Sequence, residues 1–134
     1  MRWAQIALVF ALIALAAALK EYVRGGVSDR EGPFRVKVLR VIDGDTLKVD
    51  INLGLGIWLR GQSVRVYGID CPELPTPAGS NALALTSGVA GELATIVTWG
   101  RDKYGRILGS LAPDVGPDLA TRLLDAGLAR EYLP

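Results

Sequence analysis

Acidic side chains recur in this sequence where predicted strands meet turns. Three carboxylates lie beside loops: Asp45 in a DGD turn, and Asp70 and Glu73 around Cys71-Pro72. Neighbouring carboxylates repel one another unless a cation lies between them, and a hard divalent ion such as calcium binds carboxylates, main-chain carbonyls and water. Spacing alone leaves two interpretations open, a metal site or turn-forming acids that pair with surface arginines.

Two arginines would give such a site a preference for phosphate. Arg65 opens the strand that ends at Asp70, and Arg106 closes the turn DKYGR. A guanidinium group forms paired hydrogen bonds that match the oxygens of phosphate. The combination indicates a metal- and phosphate-binding site, and surface ion pairs remain the alternative.

The composition excludes several classes of enzyme. The chain has 134 residues and no histidine, which removes Ser-His-Asp and Cys-His nucleophilic catalysis and histidine-ligated zinc. Cys71 is the only cysteine, so no intrachain disulfide can form. With 15 Lys and Arg against 14 Asp and Glu, any affinity for nucleic acid must come from the local placement of cations rather than from net charge.

Short strands and two helices would position these side chains. Alternating apolar residues and turn signals predict five strands, over residues 34–42, 46–53, 63–69, 95–99 and 107–112. A helix is predicted between the third and fourth strands, over 80–94, and another after the fifth, between Pro117 and Gly127. This order predicts an α+β fold built on a small, partly open barrel.

The first residues differ sharply from the rest of the chain. Residues 3–19, WAQIALVFALIALAAAL, carry no charge, and as a helix they would span about 26 Å, close to the thickness of a bilayer's hydrocarbon core. Two interpretations of residues 1–19 stay open, a transmembrane anchor and a signal peptide cleaved after Ala16 or Ala18. Residues 20–33 are predicted to be a linker, and residues 34–134 the globular domain.

The globular part resembles the staphylococcal-nuclease family, also called thermonucleases. The resemblance covers Phe34 to about Tyr132 and rests on four segments in the family's order: VIDGDTLKV at 41–49, VRVYGIDCPE at 64–73, DKYGR at 102–106 and LLDAGLA at 123–129. It implies a five-stranded OB-type barrel with two helices, here preceded by the N-terminal hydrophobic helix.

The resemblance also implies roles for the acidic residues. Asp45 and Asp70 fall on the family's two carboxylate ligands of calcium, and Cys71 falls on the residue that contributes its main-chain carbonyl. Glu73 falls on the residue usually assigned as the general base. Cys71 departs from the Thr, Ser or Ala common at its position, a change that a carbonyl ligand should tolerate.

The resemblance also implies which residues contact the substrate. Arg65 and Arg106 fall on the family's two catalytic arginines, which bind the phosphate and stabilise charge in the transition state. Tyr104 falls on a tyrosine that contacts the phosphate.

These roles predict a calcium-dependent nuclease that hydrolyses DNA and RNA with little sequence preference. The alternative is a non-catalytic OB-type module, anchored at a membrane, that binds nucleic acid or protein. The expected partners are nucleic acid and, through residues 3–19, a membrane; no protein partner is indicated. Because calcium is scarce in cytosol and an unspecific nuclease is hazardous there, we expect the domain outside the cytoplasm, in the cell envelope or secreted.

Overall fold

The structure, a computed structural model, describes residues 2–25 and 30–133. The elements in chain order are α1 (Trp3–Gly25), β1 (Glu31–Asp43), β2 (Thr46–Gly54), β3 (Ile57–Val66), β4 (Ile69–Asp70), α2 (Pro77–Ser87), β5 (Leu93–Arg101), β6 (Ile107–Pro113), α3 (Leu119–Asp125) and β7 (Arg130–Glu131).

Five strands form a closed barrel in the order β1-β2-β3-β6-β5. All neighbours are antiparallel except β3 and β6, which run parallel. The predicted α+β fold with a five-stranded barrel is confirmed. The barrel is closed rather than partly open because the 13-residue β1 is long enough to pair with β2 at one end and with β5 at the other.

The core explains the alternation of the strands. Apolar side chains at every second position of β1, β2 and β3 are buried inside the barrel, namely Val36, Val38, Leu47, Val49, Val64 and Val66. Ile96 and Leu111 close the core from β5 and β6, and Leu119 and Leu123 cover it from α3, one helical turn apart.

Both helices of the domain begin at capping residues. Thr76 caps α2 by accepting the amide of Gly79, and Asp118 caps α3 by accepting the amide of Thr121. α2 therefore starts at Pro77 and ends at Ser87, several residues earlier than the predicted 80–94, and Gly91 adopts a positive φ before β5. The predicted helix began too late because the two prolines and the glycine of PTPAGS indicate a loop, whereas Thr76 caps a helix that already begins at Pro77.

The segment between α1 and the barrel is only partly described. α1 continues to Gly25 and β1 begins at Glu31, so the predicted linker, 20–33, overlaps both elements, and its residues 26–29 lie outside the described part. In α1 the window Trp3–Lys20 has a mean hydropathy of 2.0 and is not buried by the protein. An anchor and a signal peptide both satisfy that description.

Candidate active site

The DGD turn between β1 and β2 is held in place by α2. Thr86 donates its hydroxyl to the Gly44 carbonyl at 2.7 Å, inside the protein. A Cβ atom on Gly44 would lie 2.6 Å from the Ala82 Cβ and 3.1 Å from the Cys71 Sγ, so no larger residue fits. These contacts fix the backbone of Gly44 and therefore the position of Asp45, the next residue.

Asp45 is a buried carboxylate, with 7% of its surface exposed. Its Oδ2 accepts the amide of Cys71 at 2.9 Å, and its Oδ1 lies 3.3 Å from the hydroxyl of Thr46. Burial, with a smaller contribution from a hydrogen bond to Asp43, raises the pKa of Asp45 to about 6. Burial therefore destabilises the ionised form of Asp45, and a nearby cation would stabilise it.

Arg65 brings Asp45 and Asp70 together. Its Nη1 lies 3.3 Å from the Asp45 Oδ2, and its Nη2 lies 3.2 Å from the Asp70 Oδ1. Nη1 also donates to the carbonyls of Val66 and Ile69, at 3.1 and 2.9 Å. Two of the predicted metal ligands thus meet at one guanidinium group, which is itself mostly buried.

Strand pairing explains why these three residues meet. Thr46, which follows Asp45, pairs with Arg65 across β2 and β3. Asp70 lies in β4, a few residues beyond the end of β3. The DGD turn and the segment VRVYGID are therefore neighbours through the register of one hairpin.

Arg130 is a site residue that the sequence reasoning missed. It pairs with Asp70 in the β4–β7 ladder, and its Nη2 lies 3.1 Å from the Asp70 Oδ2. Both oxygens of Asp70 are consequently engaged by arginines. Sixty positions separate the two residues, and no local pattern in the sequence signals that β7 would pair with β4.

Asp102 organises the turn that carries Arg106 and Tyr104. Its Oδ1 accepts the amides of Tyr104 and Arg106, both at 2.9 Å, and its Oδ2 accepts the Arg106 Nε at 2.7 Å. Burial alone would raise the pKa of Asp102, but these hydrogen bonds from Arg106 and Tyr104 lower it. Asp102 was also not foreseen as a site residue; the turn motif DKYGR was its only signal.

One cleft of about 650 Å³ gathers four of the predicted residues, Arg65, Asp70, Tyr104 and Arg106. Lys103, Arg101 and Arg130 also line it. Tyr104 is 72% exposed, and the guanidinium carbon of Arg106 lies 5.3 Å from its ring centroid. A solvent-open cleft with several cations and an aromatic ring is suited to a nucleotide phosphate and its attached base.

Glu73 and Cys71 lie to the side of that cleft. They line a second depression, of about 480 Å³, whose wall is shared with the first through Asp70 and Arg130. Glu73 is exposed, and within the described residues its side chain has no hydrogen bond or ion pair. The proposed role of Glu73 as a general base therefore stays a prediction.

The carboxylate oxygens of Asp45 and Asp70 are of the type that binds a hard cation, although the described residues offer no third acid that would complete a metal site with them. Asp45 and Asp70 offer carboxylate oxygens around one guanidinium group, and the ionised form of Asp45 is destabilised by burial. Among the described residues, no group of three or more His, Cys, Asp or Glu side chains could hold a metal ion. Main-chain carbonyls and water would have to complete any calcium site.

Cys71 contributes no thiolate to the site. Its side chain is 6% exposed, and burial, followed by the charge of Asp45, raises its pKa to about 12. The thiol packs against Gly44 and stays protonated at neutral pH. Only main-chain atoms of Cys71 are suited to act as ligands here.

Comparison with known proteins covers Arg65 and the site residues that follow it in the chain. The family model described as staphylococcal nuclease homologue matches residues 63–133. Two proteins named uncharacterized endonuclease are similar over 98 residues: one from Escherichia coli, 36% identical, and one from Escherichia coli O157:H7, 35% identical. Each match covers 72% of this chain and 60% of the relative, so the chain spans about three fifths of the length of these curated relatives.

Proposed function

The chain belongs to the staphylococcal nuclease homologue family, and on that premise we propose that it is a calcium-dependent nuclease that hydrolyses phosphodiester bonds in DNA and RNA. The observation that supports this most directly is the cleft in which Arg65, already joined to Asp45 and Asp70, lies with Arg106 and Tyr104. Little sequence preference is expected, because such contacts engage the phosphate and the face of any base rather than base edges.

The arginines perform the electrostatic part of the reaction. Arg65 is fixed by two carbonyls and two carboxylates, and Arg106 by Asp102, so both guanidinium groups are oriented before substrate binds. Oriented donors of this kind stabilise the negative charge that develops on phosphate oxygens in the transition state. Asp102 accepts a hydrogen bond from the Nε of Arg106. The two terminal nitrogens of Arg106 are therefore the groups suited to bind phosphate.

Glu73 is proposed to accept the proton of the attacking water. The new bond joins that water oxygen to phosphorus. With the polarity of the family that the chain resembles, the bond from phosphorus to the 5′-oxygen breaks and that oxygen takes up a proton from solvent, so the products end in a 3′-phosphate and a 5′-hydroxyl. Asp45, Asp70 and the main-chain carbonyl of Cys71 would hold calcium, which when bound supplies positive charge beside the phosphate.

Residues 3–19 are proposed to anchor the domain to a membrane or to direct its export, with the barrel outside the cytoplasm. The length and apolar character of α1 support this proposal. Calcium supports the location, since a site with two carboxylate side chains should bind it weakly and would need the higher concentration found outside cells.

The nuclease proposal is tested on the purified full chain, solubilised in mild detergent and incubated with DNA or RNA. Cleavage is expected with calcium and not with chelator, and Asp45→Ala should abolish it. Asp125→Ala, an exposed acid in α3, is the control and should cleave normally. Binding of nucleic acid without cleavage would instead favour the non-catalytic OB-type module, and undiminished cleavage by Asp45→Ala would exclude the assigned ligand.

A further inference from the structure

The loop that joins β2 and β3 exposes an unusual amount of apolar surface. The hairpin tip, residues 53–58, has the sequence LGLGIW and contains no polar side chain. Its four large residues are all exposed: Leu53 to 40%, Leu55 to 100%, Ile57 to 53% and Trp58 to 39%. Four exposed apolar side chains within six residues are typical of a site of contact with another molecule or with a membrane.

The geometry of the turn does not account for its apolar character. Leu55 adopts a φ of +55° between Gly54 and Gly56, which also have positive φ values. Two-residue hairpin turns of this type favour Asn, Asp or Gly, and a branched apolar residue is disfavoured there. The leucine at the most exposed point of the hairpin therefore calls for a role outside the folded domain.

The position of the hairpin tip relates it to α1. Arg35 of β1 pairs with Asn52 of β2, and the strands are antiparallel. Beyond that pair, the start of β1 and the hairpin tip extend in the same direction. The chain enters β1 at Glu31, six positions after the end of α1 at Gly25, a separation of at most about 20 Å.

We propose that the hairpin tip inserts into the interfacial layer of the membrane to which α1 attaches the chain; the inference rests on the proposed membrane attachment. The guanidinium carbon of Arg60 lies over the ring of Trp58, 4.7 Å from the ring centroid. A tryptophan with a cation beside it is typical of the headgroup level of a bilayer, where the ring is partly apolar and the charge stays in water.

Insertion of the hairpin tip would set the orientation of the active site. Thr46, at the other end of β2, pairs with Arg65, whereas Gly54 pairs with Ile57. Thr46 and Gly54 are eight positions apart, about 26 Å of extended strand. Arg65 and the DGD turn would then lie about that far from the inserted residues, whereas Arg101, which also lines the cleft, donates to the side chain of Gln62 and would lie nearer the membrane.

The test uses the full chain reconstituted into phosphatidylcholine vesicles, with and without phosphatidylglycerol. Leu55→Cys is labelled with an environment-sensitive fluorophore, and Ser87→Cys, exposed in α2, is the matched control. Cys71 should not react, because it is buried and its pKa is raised to about 12. Unchanged nuclease activity or circular dichroism confirms that each labelled chain is folded.

The label at position 55 should show a blue shift and a severalfold loss of quenching by aqueous iodide, and the label at position 87 should show neither. In the unlabelled chain, Trp58→Phe should reduce the quenching of tryptophan fluorescence by brominated lipid. Equal iodide quenching at both positions in chains that float with the vesicles would overturn insertion while leaving membrane attachment intact.

Failure of the chain to float would overturn both the attachment and the insertion, and neither result depends on nuclease activity. A blue shift that appears in detergent without vesicles, and that grows with protein concentration, would instead assign the hairpin tip to contact with a second copy of the chain. A larger shift with phosphatidylglycerol than without it would support insertion that anionic headgroups assist.

Discussion

One guanidinium group lies between two acids of the candidate site. Arg65 is near both Asp45 and Asp70, and Arg130 engages the other oxygen of Asp70. Asp70 is therefore well compensated, whereas Asp45 is buried and its pKa is raised to about 6. Of the two proposed calcium ligands, Asp45 is therefore the one whose buried charge an added cation would stabilise.

Asp45→Asn should stabilise the chain at neutral pH in chelator. The pKa of Asp45 in the folded chain, about 6, is above the unfolded value of about 3.9, so the folded state binds more protons between these pH values. The stability contributed by this group is present below pH ~4 and lost as the pH rises through about 6. Asp45→Asn should therefore raise the free energy of unfolding at pH 7.5 by on the order of 2 kcal/mol, with the gain disappearing towards pH 4.

Unfolding by urea across that pH range, with chelator and with calcium, checks this expectation. Calcium should stabilise the wild type and not Asp45→Asn, because only the wild type binds it through this carboxylate. Asp125→Asn, on the surface of α3, is the matched control and should leave the free energy of unfolding nearly unchanged. A stability difference for Asp45→Asn that is constant from pH 4 to 7.5 would contradict the raised pKa.

Arg106→Lys should slow cleavage by on the order of 10²–10³, since it removes an oriented transition-state donor while keeping the charge. Folding should change little, because Arg106 is partly exposed and its ion pair is local. Single-turnover cleavage rates and thermal unfolding are measured together. Arg35→Lys is the control: it disturbs an exposed two-bond pair with Asp114, and should leave the rate unchanged.

If Arg106→Lys cleaves at the wild-type rate, Arg106 serves only as the ion-pair partner of Asp102. Arg65→Lys is a less discriminating variant. Arg65 is mostly buried and joins two carbonyls to two carboxylates, so its replacement should lower stability as well as rate.

At the scale of elements, α2 acts as the support of the DGD turn. Ala82 packs against Gly44, and Thr86 donates to the Gly44 carbonyl. Neither residue touches the cleft, yet both fix the backbone from which Asp45 projects. The alignment of helix and turn is thus part of the site.

Thr86→Val should weaken both the fold and the activity. The variant keeps the shape of the side chain but leaves the buried Gly44 carbonyl without its donor, which costs about 1–3 kcal/mol. Thermal unfolding and cleavage rate are compared with Thr86→Ser, which retains the hydroxyl and should recover most of the activity. Equal activity of the two variants would show that the turn is held without this hydrogen bond.

The sequence predicted local elements better than it predicted contacts between distant ones. The alternation of Val36 and Val38 was sufficient to predict a strand, and the DGD segment the turn that follows it, because those signals act over a few residues. The pairing of Asp70 with Arg130, and the support of Gly44 by Thr86, join positions far apart in the chain. Such contacts depend on how the barrel closes, which no local pattern encodes.

The resemblance to a known family supplied what spacing could not. Acids and arginines at strand ends were compatible with surface ion pairs, and the structure does contain such pairs, including Arg106 with Asp102. The cleft nevertheless collects Arg65, Asp70, Tyr104 and Arg106. Glu73 lies outside it, and no contact in the described residues indicates its role.

At the scale of the whole molecule, the barrel has a chemically active part and an apolar part. The DGD turn and Arg65 lie at one end of the β2–β3 hairpin, and the hairpin tip lies at the other. The start of β1, which α1 precedes, pairs at Glu31 with Thr98, close to the β5–β6 turn that carries Tyr104 and Arg106. A membrane at the hairpin tip would therefore leave the DGD turn and Arg65 farthest from the lipid, where substrate can approach from the aqueous side.

The last prediction concerns the side of the membrane on which the barrel lies. Flanking charges do not decide it: Arg2 precedes the apolar segment, whereas Lys20, Arg24 and Arg30 follow it, with Glu21 and Asp29 among them. Chemistry favours the outer side, because calcium is scarce in cytosol and a site with two carboxylate side chains should bind it weakly. We therefore expect protease added to intact cells or spheroplasts to remove a C-terminal tag.

The mass of the tagged chain distinguishes the two forms of export. An uncleaved anchor keeps residues 3–19 and stays with the membrane fraction, whereas cleavage after Ala16 or Ala18 shortens the chain and releases it. A cytosolic protein of the same cells must stay intact during the protease treatment, which shows that the membrane was not broken. If the tag is digested only after lysis, the barrel faces the cytosol, and the low calcium of that compartment would then have to hold the nuclease inactive.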